Sequence, residues 1–284
     1  MADFPYSPHL DRLIDLALEE DLGSGDVTTQ ALIPPELQGE AQIRAKQTLV
    51  VAGLMVAARV LARLDPALTF APQVADGREV AAGTVLAVIT GPVASILTGE
   101  RTALNFLQRL SGIATFTRAM AAQLARAATV LVDTRKTAPG WRVLEKYAVR
   151  MGGGRNHRLG LYDGVLIKNN HIAAAGSITA AVRQAKARGH YLLKIEVEVT
   201  DLVGLSEALN AGADLILLDN MDDATLKQAV DLTRGRAWLE ASGSMTTARL
   251  PQVAATGVNA ISMGALTHSA PAVDIHLRLV KTWR

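Results

Sequence analysis

Two short apolar runs end in the residues best suited to chemistry. Thr129–Val132 stops abruptly in Asp133, Thr134, Arg135, Lys136 and Thr137, and Gly164–Ile167 stops in Lys168, Asn169, Asn170 and His171. Between them stand Arg142, Lys146, Arg150, Arg155, His157 and Arg158, around the triple glycine Gly152–Gly154. Arginine presents a planar fork of N–H donors that matches carboxylate and phosphate, and lysine adds a mobile point charge. Positive charge gathered where the chain leaves buried strands therefore predicts a pocket for a small polyanion. Two carboxylates, Glu198 and Asp219, also close apolar runs. Beside bound phosphates they suit Mg²⁺, which takes one or two carboxylates together with substrate oxygens. The turns Ser242-Gly243-Ser244 and Met263-Gly264-Ala265 expose backbone N–H groups of the kind that hold phosphate. Together these residues predict a phosphorylated, magnesium-bearing substrate and a second, anionic one.

Composition narrows the field. The 284 residues carry 29 Lys and Arg against 27 Asp and Glu, a net charge of +2, so the cationic cluster is local and nucleic-acid binding is not expected. Cysteine is absent, which excludes disulfides, thiolate metal sites and cysteine nucleophiles. The opening MADFPYSPHLDRL lacks a basic-then-apolar leader pattern, and no apolar run reaches the ~18–20 residues of a membrane span. A cytoplasmic protein with no membrane partner is expected. The motifs G-x-x-x-x-G-K-[ST], G-x-S-x-G and H-E-x-x-H are missing, and MGGGRNHRLG follows a predicted helix, the wrong context for a dinucleotide fingerprint. His157 and His171 lie in charged loops and are functional candidates; His9, His190, His268 and His276 read as surface or capping residues.

From about Ala128 the pattern alternates regularly between apolar runs and amphipathic helices. Strands are predicted at Thr129–Asp133, Gly164–Lys168, Leu193–Glu198, Asp214–Leu218, Ala237–Ala241 and Val258–Ser262. Helices are predicted at Trp141–Arg150, Ile178–Arg188, Leu202–Asn210, Asp223–Thr233 and Thr246–Thr256. Such alternation means a parallel sheet with crossover helices. Every chemically loaded group falls at the carboxyl end of a strand. A doubly wound sheet draws its site from the few strands beside its switch point, whereas a barrel draws on all of them. Six loaded exits therefore predict an incomplete, irregular α/β barrel. In Lys194–Val199, alternation puts Lys194, Glu196 and Glu198 on one face, which must point into the barrel if Ile195, Val197 and Val199 pack against helices.

The first hundred residues read differently. Leu10, Leu13, Ile14, Ala17 and Leu18 recur at helical spacing up to Gly23, and Gly23–Thr29 reads as a polar turn. Ala41–Lys46 alternates like a strand, and Gly53–Leu64 is a helix whose Arg59 and Arg63 read as a solvated face. Val74–Pro92 pairs short strands around turns at Gly77 and Gly83, and it holds no lysine, which argues against a biotinyl or lipoyl carrier. Gly99–Thr115 reads as a helix with Leu104, Leu107 and Leu110 buried and Gly112 near its end. That places Arg101 in the first turn, where a cation opposes the helix dipole and suggests a specific duty.

In order and spacing, EEDLGSGDVTT, ERTALNFLQRLSGIAT, DTRKTAPG, LEKYAVRMGGGRNHR, VLIKNNHI, EVEV, LLDNM, EASGS and ISMGALTHS resemble the quinolinate phosphoribosyltransferase family over nearly the whole chain. The resemblance implies an enzyme of NAD synthesis that joins quinolinate to 5-phosphoribosyl-1-pyrophosphate with Mg²⁺, releasing pyrophosphate and CO₂ and leaving nicotinate mononucleotide. It implies an N-terminal α/β sandwich domain over residues 1–112, completed by the tail 266–284, and a barrel over 113–265. It also implies a homodimer with shared active sites, in which Arg101 enters the partner's pocket.

Carried over by position, Thr134, Arg135, Lys136, His157, Arg158 and Lys168 bind substrate, with Lys136, Lys168, Glu198 and Asp219 as the catalytic groups. Glu198 and Asp219 face the ribose and the metal-bound pyrophosphate, and Ser242, Gly243, Ser244, Met263, Gly264 and Ala265 form the 5′-phosphate turns. The chain departs from the family pattern at Ser244, Asn169 and Ala138, where glycine, an acidic residue and threonine are usual. A paralogue encoded with molybdate-transport systems shares part of these motifs. A barrel lyase using Lys168 as a Schiff base and a non-catalytic anion-binding barrel are the readings from other classes.

Overall fold

The computed structural model describes residues 8–124 and 128–284; the opening Met1–Ser7, part of the stretch read for a leader, lies outside them. The chain forms two compact units. The first comprises the residues up to Arg118 together with Ala138–Gly153 and Ser269–Arg284. Helix Pro8–Leu22 buries Leu10, Ile14 and Leu18 at every fourth position. It is clamped to helix Leu54–Leu64, where Arg59 and Arg63 pair with Asp11 and Asp15 at 2.9 and 2.7 Å. The two arginines are thus ion-paired rather than simply solvated, because each helix repeats its charge four residues on, along a matching face. Within the expected polar turn a short helix, Val27–Leu32, begins, and the Asp26 carboxylate caps it by accepting from Thr28 and Thr29 N–H.

The sheet of this unit is antiparallel. Gln38–Ala45 lies between Val85–Pro92 and the final strand Ile275–Trp283, and Thr69–Pro72 flanks Val85–Pro92. Gly77 and Gly83 adopt left-handed φ of 84° and 86°, as the predicted turns require.

Two expectations change here. The long helix runs from Val93 to Ala122, so Arg101 lies in its third turn and the dipole argument lapses. Gly99 does not open the helix but sits inside it, where a Cβ would come within 2.8 Å of Leu61 Cδ2 and 3.0 Å of Leu64 Cδ2. Gly112 is likewise internal. Leu104, Leu107 and Leu110 are buried as expected. The second change concerns helix Arg142–Met151, which the alternation assigns as a crossover helix. It belongs to this first unit: Trp141 stacks on Phe106 with centroids 4.5 Å apart, and buried Glu145 takes the Arg109 guanidinium at 2.8 Å.

The second unit, Ala119–Thr137 with Gly154–His268, holds six parallel strands ordered Val130–Val132, Ala260–Ser262, Trp238–Ser242, Leu215–Asp219, Ile195–Val199, Val165–Ile167. The last strand in sequence pairs with the first, as a barrel requires, while the second stands at the opposite edge. The ring is therefore open between its first two strands. Along the free edge of the first runs Gly154–Arg158: Arg155 N donates to Leu131 O at 2.8 Å and Arg155 O accepts from Asp133 N at 3.1 Å. All six strands match the predicted positions within two residues.

Helices Ile178–Arg188, Leu202–Ala211 and Asp223–Thr233 follow the prediction, each begun by an N-cap, Ser177, Asp201 or Asp222. The predicted Thr246–Thr256 helix contracts to Leu250–Ala255, with Pro251 in its first positions, and an unexpected helix, Asn169–Ala175, follows the second strand. Among the described residues, no helix is long and apolar enough to cross a membrane.

Candidate active site

Side chains alternate across a strand, so one face of each barrel strand looks inward, and at the carboxyl ends these faces line a cavity of about 810 Å³. Leu166 and Lys168, Leu217 and Asp219, and Glu240 and Ser242 line it as pairs two residues apart, with Glu198, Ser262 and Gly264 from the remaining strands. The loop after the first strand adds Thr134, Arg135 and Lys136, and the segment beside it adds His157 and Arg158. Gly243, Ser244, Met263 and Ala265 complete the predicted set in this cavity. Arg101 is the exception: it is exposed on the long helix of the first unit and is not a lining residue.

Of the six basic side chains between Arg142 and Arg158, only His157 and Arg158 reach the cavity. Lys146 is buried in the first unit, and Arg150 lies over the Tyr147 ring, 5.8 Å from its centroid.

Local structure explains how each group is held. Lys136 N donates to Thr134 Oγ1 at 3.0 Å, and Thr267 Oγ1 donates to Lys136 O at 2.7 Å. Gly264 leaves room for the lysine stem, since a Cβ there would lie 2.9 Å from Lys136 Cδ. Buried Asp133 spends its carboxylate on structure, accepting from His157 N at 2.9 Å and from Asn156 Nδ2 at 2.5 Å. Lys168 Nζ donates to Glu198 Oε2 at 2.6 Å, whereas the Asp219 carboxylate makes no hydrogen bond or ion pair to other described residues. His171 accepts from Lys168 N at 3.0 Å and so caps the helix after the second strand rather than facing the cavity. Gly243 and Ser244 both adopt left-handed φ, 98° and 42°. For a serine that conformation costs on the order of 1 kcal/mol, which gives the departure at Ser244 a physical meaning.

Glu240, outside the predicted site, also lines the cavity. His157 Nε2 donates to Glu196 Oε2 at 2.8 Å, and Glu240 Oε2 lies 3.8 Å from the same nitrogen. His157 Nδ1 accepts from Arg158 N at 2.8 Å, so the network assigns the neutral tautomer with its proton on Nε2. Glu196 and Glu240 are both nearly fully buried. Burial first, then the neighbouring Glu196 charge, pushes the Glu240 carboxyl up to about 7. The same physics acts on Arg158, held below the usual guanidinium range by burial and then by the charge of Arg135. Glu240 stands two residues before Ser242 as Glu196 does before Glu198, so strand alternation was the signal that could have found it. His268, which reads from sequence as a surface residue, also lines the cavity.

The chemistry available is recognition of anions by a cluster of cations, with the Asp219 carboxylate unpaired among the described residues and Glu198 paired with lysine. Residues 26–111 match the quinolinate phosphoribosyl transferase N-terminal domain and residues 113–278 its C-terminal domain. The chain is 47% identical over 267 residues to a probable nicotinate-nucleotide pyrophosphorylase (carboxylating) of Synechocystis, covering 93% of this chain and 90% of that one. A protein of the same description from Bacillus subtilis is 44% identical, covering 94% and 92%. Among solved structures, NadC from Streptococcus pyogenes superposes with a TM-score of 0.93 at 40% identity, over 98% of this chain and all of the other. With both domain models matched in order and relatives of this identity spanning nearly its full length, the chain belongs to the quinolinate phosphoribosyl transferase family.

Proposed function

We propose that this protein transfers the phosphoribosyl group of 5-phosphoribosyl-1-pyrophosphate to quinolinate with decarboxylation, giving nicotinate mononucleotide, CO₂ and pyrophosphate for NAD synthesis. The carrying observation is the convergence of Arg135, Lys136, His157, Arg158, Lys168, Glu198 and Asp219 from separate strand exits on one cavity. Quinolinate is a planar dicarboxylate, which forked guanidiniums grip bidentately; Arg135 and Arg158 take that part. The turns at Ser242–Ser244 and Met263–Ala265 take the 5′-phosphate.

As pyrophosphate leaves, the ribosyl carbon gains oxocarbenium character and the pyridine nitrogen attacks it; Glu198 and Asp219 stabilise the cationic carbon, as carboxylates do in glycosyl transfer. Lys136 and Lys168 hold the departing anion. Asp219, whose carboxylate has no partner among the described residues, fits a hard cation on substrate oxygens, whereas Glu198 meets one only in competition with Lys168. Mg²⁺ carried in on the pyrophosphate would supply charge neutralisation of the leaving group.

The Lys168–Glu198 contact disfavours the lyase reading, since a Schiff base needs an uncharged amine. The protein acts in the cytoplasm as a homodimer, with Arg101 reaching the partner's cavity. The test is direct: purified protein with quinolinate, phosphoribosyl-pyrophosphate and Mg²⁺ yields nicotinate mononucleotide, and no product sinks the proposal.

A further inference from the structure

The transfer step leaves Glu240 unused, although it is a buried carboxyl that lines the cavity beside a second buried carboxyl, Glu196. Resting on the reaction just described, we propose that Glu240 is the acid that protonates the pyridine carbon vacated by CO₂. Once the nitrogen carries the ribosyl group, the bond from ring carbon 2 to its carboxylate breaks, CO₂ leaves and the electron pair stays on carbon 2 beside the positive nitrogen. That pair takes the proton of the Glu240 carboxyl, forming the C–H bond of the product, and the carboxylate regains a proton from water.

Geometry singles out Glu240. It lines the cavity with its side chain only 4% exposed, and its Oε1 has no hydrogen-bond partner among the described residues. Facing it are Glu196 from strand Ile195–Val199, His157 from the segment beside the first strand, Asp133 at that strand's end and the Ser262 hydroxyl from Ala260–Ser262. On Leu215–Asp219 the residue paired with it is uncharged Leu217. Two of these neighbours are carboxylates, and the one base has its Nε2–H committed to Glu196 and its Nδ1 to a backbone N–H. Buried carboxyls placed so close do not both ionise cheaply, so one keeps its proton. Glu240 is the one lifted to about 7, which suits an acid that must give up and regain a proton near neutrality. Arginine and lysine side chains part with protons far less readily.

The test separates the two halves of the reaction in Glu240→Gln, which keeps the side chain's shape. Pyrophosphate and nicotinate mononucleotide are measured side by side with quinolinate, phosphoribosyl-pyrophosphate and Mg²⁺. The ratio of nicotinate mononucleotide to pyrophosphate is expected to drop by about a hundredfold, with the undecarboxylated nucleotide accumulating. The loss of wild-type kcat as pH rises through 7 should vanish from the residual activity.

A second variant guards against misfolding of the first: in Glu196→Gln, removal of the neighbouring charge should move that alkaline limb to lower pH. An unchanged product ratio in E240Q, an unmoved limb in E196Q, or one equivalent of tightly held metal in the resting protein on His157, Glu196 and Glu240, whose donor atoms lie within 4.8 Å, overturns the assignment of Glu240. A wild type that releases no pyrophosphate overturns the underlying reaction, and the proton donor with it.

Discussion

Arg135 and Arg158 line one cavity with Lys136 and Lys168, but their shapes divide the labour. A guanidinium grips a carboxylate through two parallel hydrogen bonds, while an ammonium serves phosphate as a point charge. Arg135→Ala should therefore weaken quinolinate by ~1.5–3 kcal/mol and phosphoribosyl-pyrophosphate far less; calorimetry with each ligand checks this, and equal losses would show the arginine to be misassigned. Glu240 also leaves a mark on stability. Its folded pKa stands above the ordinary 4.5, at about 7, so the folded state binds more protons across that interval. Its contribution is complete below the unfolded value and fades as pH rises through about 7. In urea unfolding, the stability of wild type relative to Glu240→Gln should thus decline between about pH 4.5 and 7; a difference independent of pH would mean that Glu240 is ionised throughout.

At the scale of elements, two helices show where local pattern and packing part company. The 30-residue helix Val93–Ala122 tolerates Gly99 and Gly112 inside it because other parts of the first unit come too close for a side chain. At Gly112 an added Cβ would lie 2.9 Å from Ala272 Cα and 3.0 Å from Pro271 C, backbone that cannot rotate aside. Gly112→Ala should gain helix propensity and still destabilise by roughly 2–3 kcal/mol through overpacking, read as a lower Tm; a higher Tm would show that the tail segment yields. Helix Arg142–Met151 has the opposite history. Its apolar and charged pattern is that of a crossover helix, but Trp141, Glu145 and Tyr147 find partners in Phe106, Arg109 and Asp76, and those contacts assign its face.

At the scale of the molecule, the barrel is complete enough to collect loaded residues from all six strands, yet open between the first two. Arg155 and its neighbours supply a single parallel bridge there, which is what brings His157 and Arg158 to the cavity from a segment that is not a strand. Arg101, exposed and outside that cavity, has its proposed use only in a second copy. Arg101→Ala and Lys168→Ala should each be inactive alone, and mixing them should restore up to about a quarter of wild-type activity as subunits exchange, since half the pairs are mixed and each holds one intact site. No recovery after subunit exchange shown by mass spectrometry would place Arg101 outside the shared site.

Strand periodicity and ordered motifs are properties of neighbouring residues, so the alternating units, the positions of all six barrel strands, the loading of their carboxyl ends and the family are legible along the chain. Which basic residues between Arg142 and Arg158 meet the cavity, where the long helix begins, and that Glu240 faces Glu196 and His157 emerge from the packed fold alone. Those outcomes turn on which surfaces pack together and how far charge is drawn from water, and neither is written in the spacing of residues along one segment.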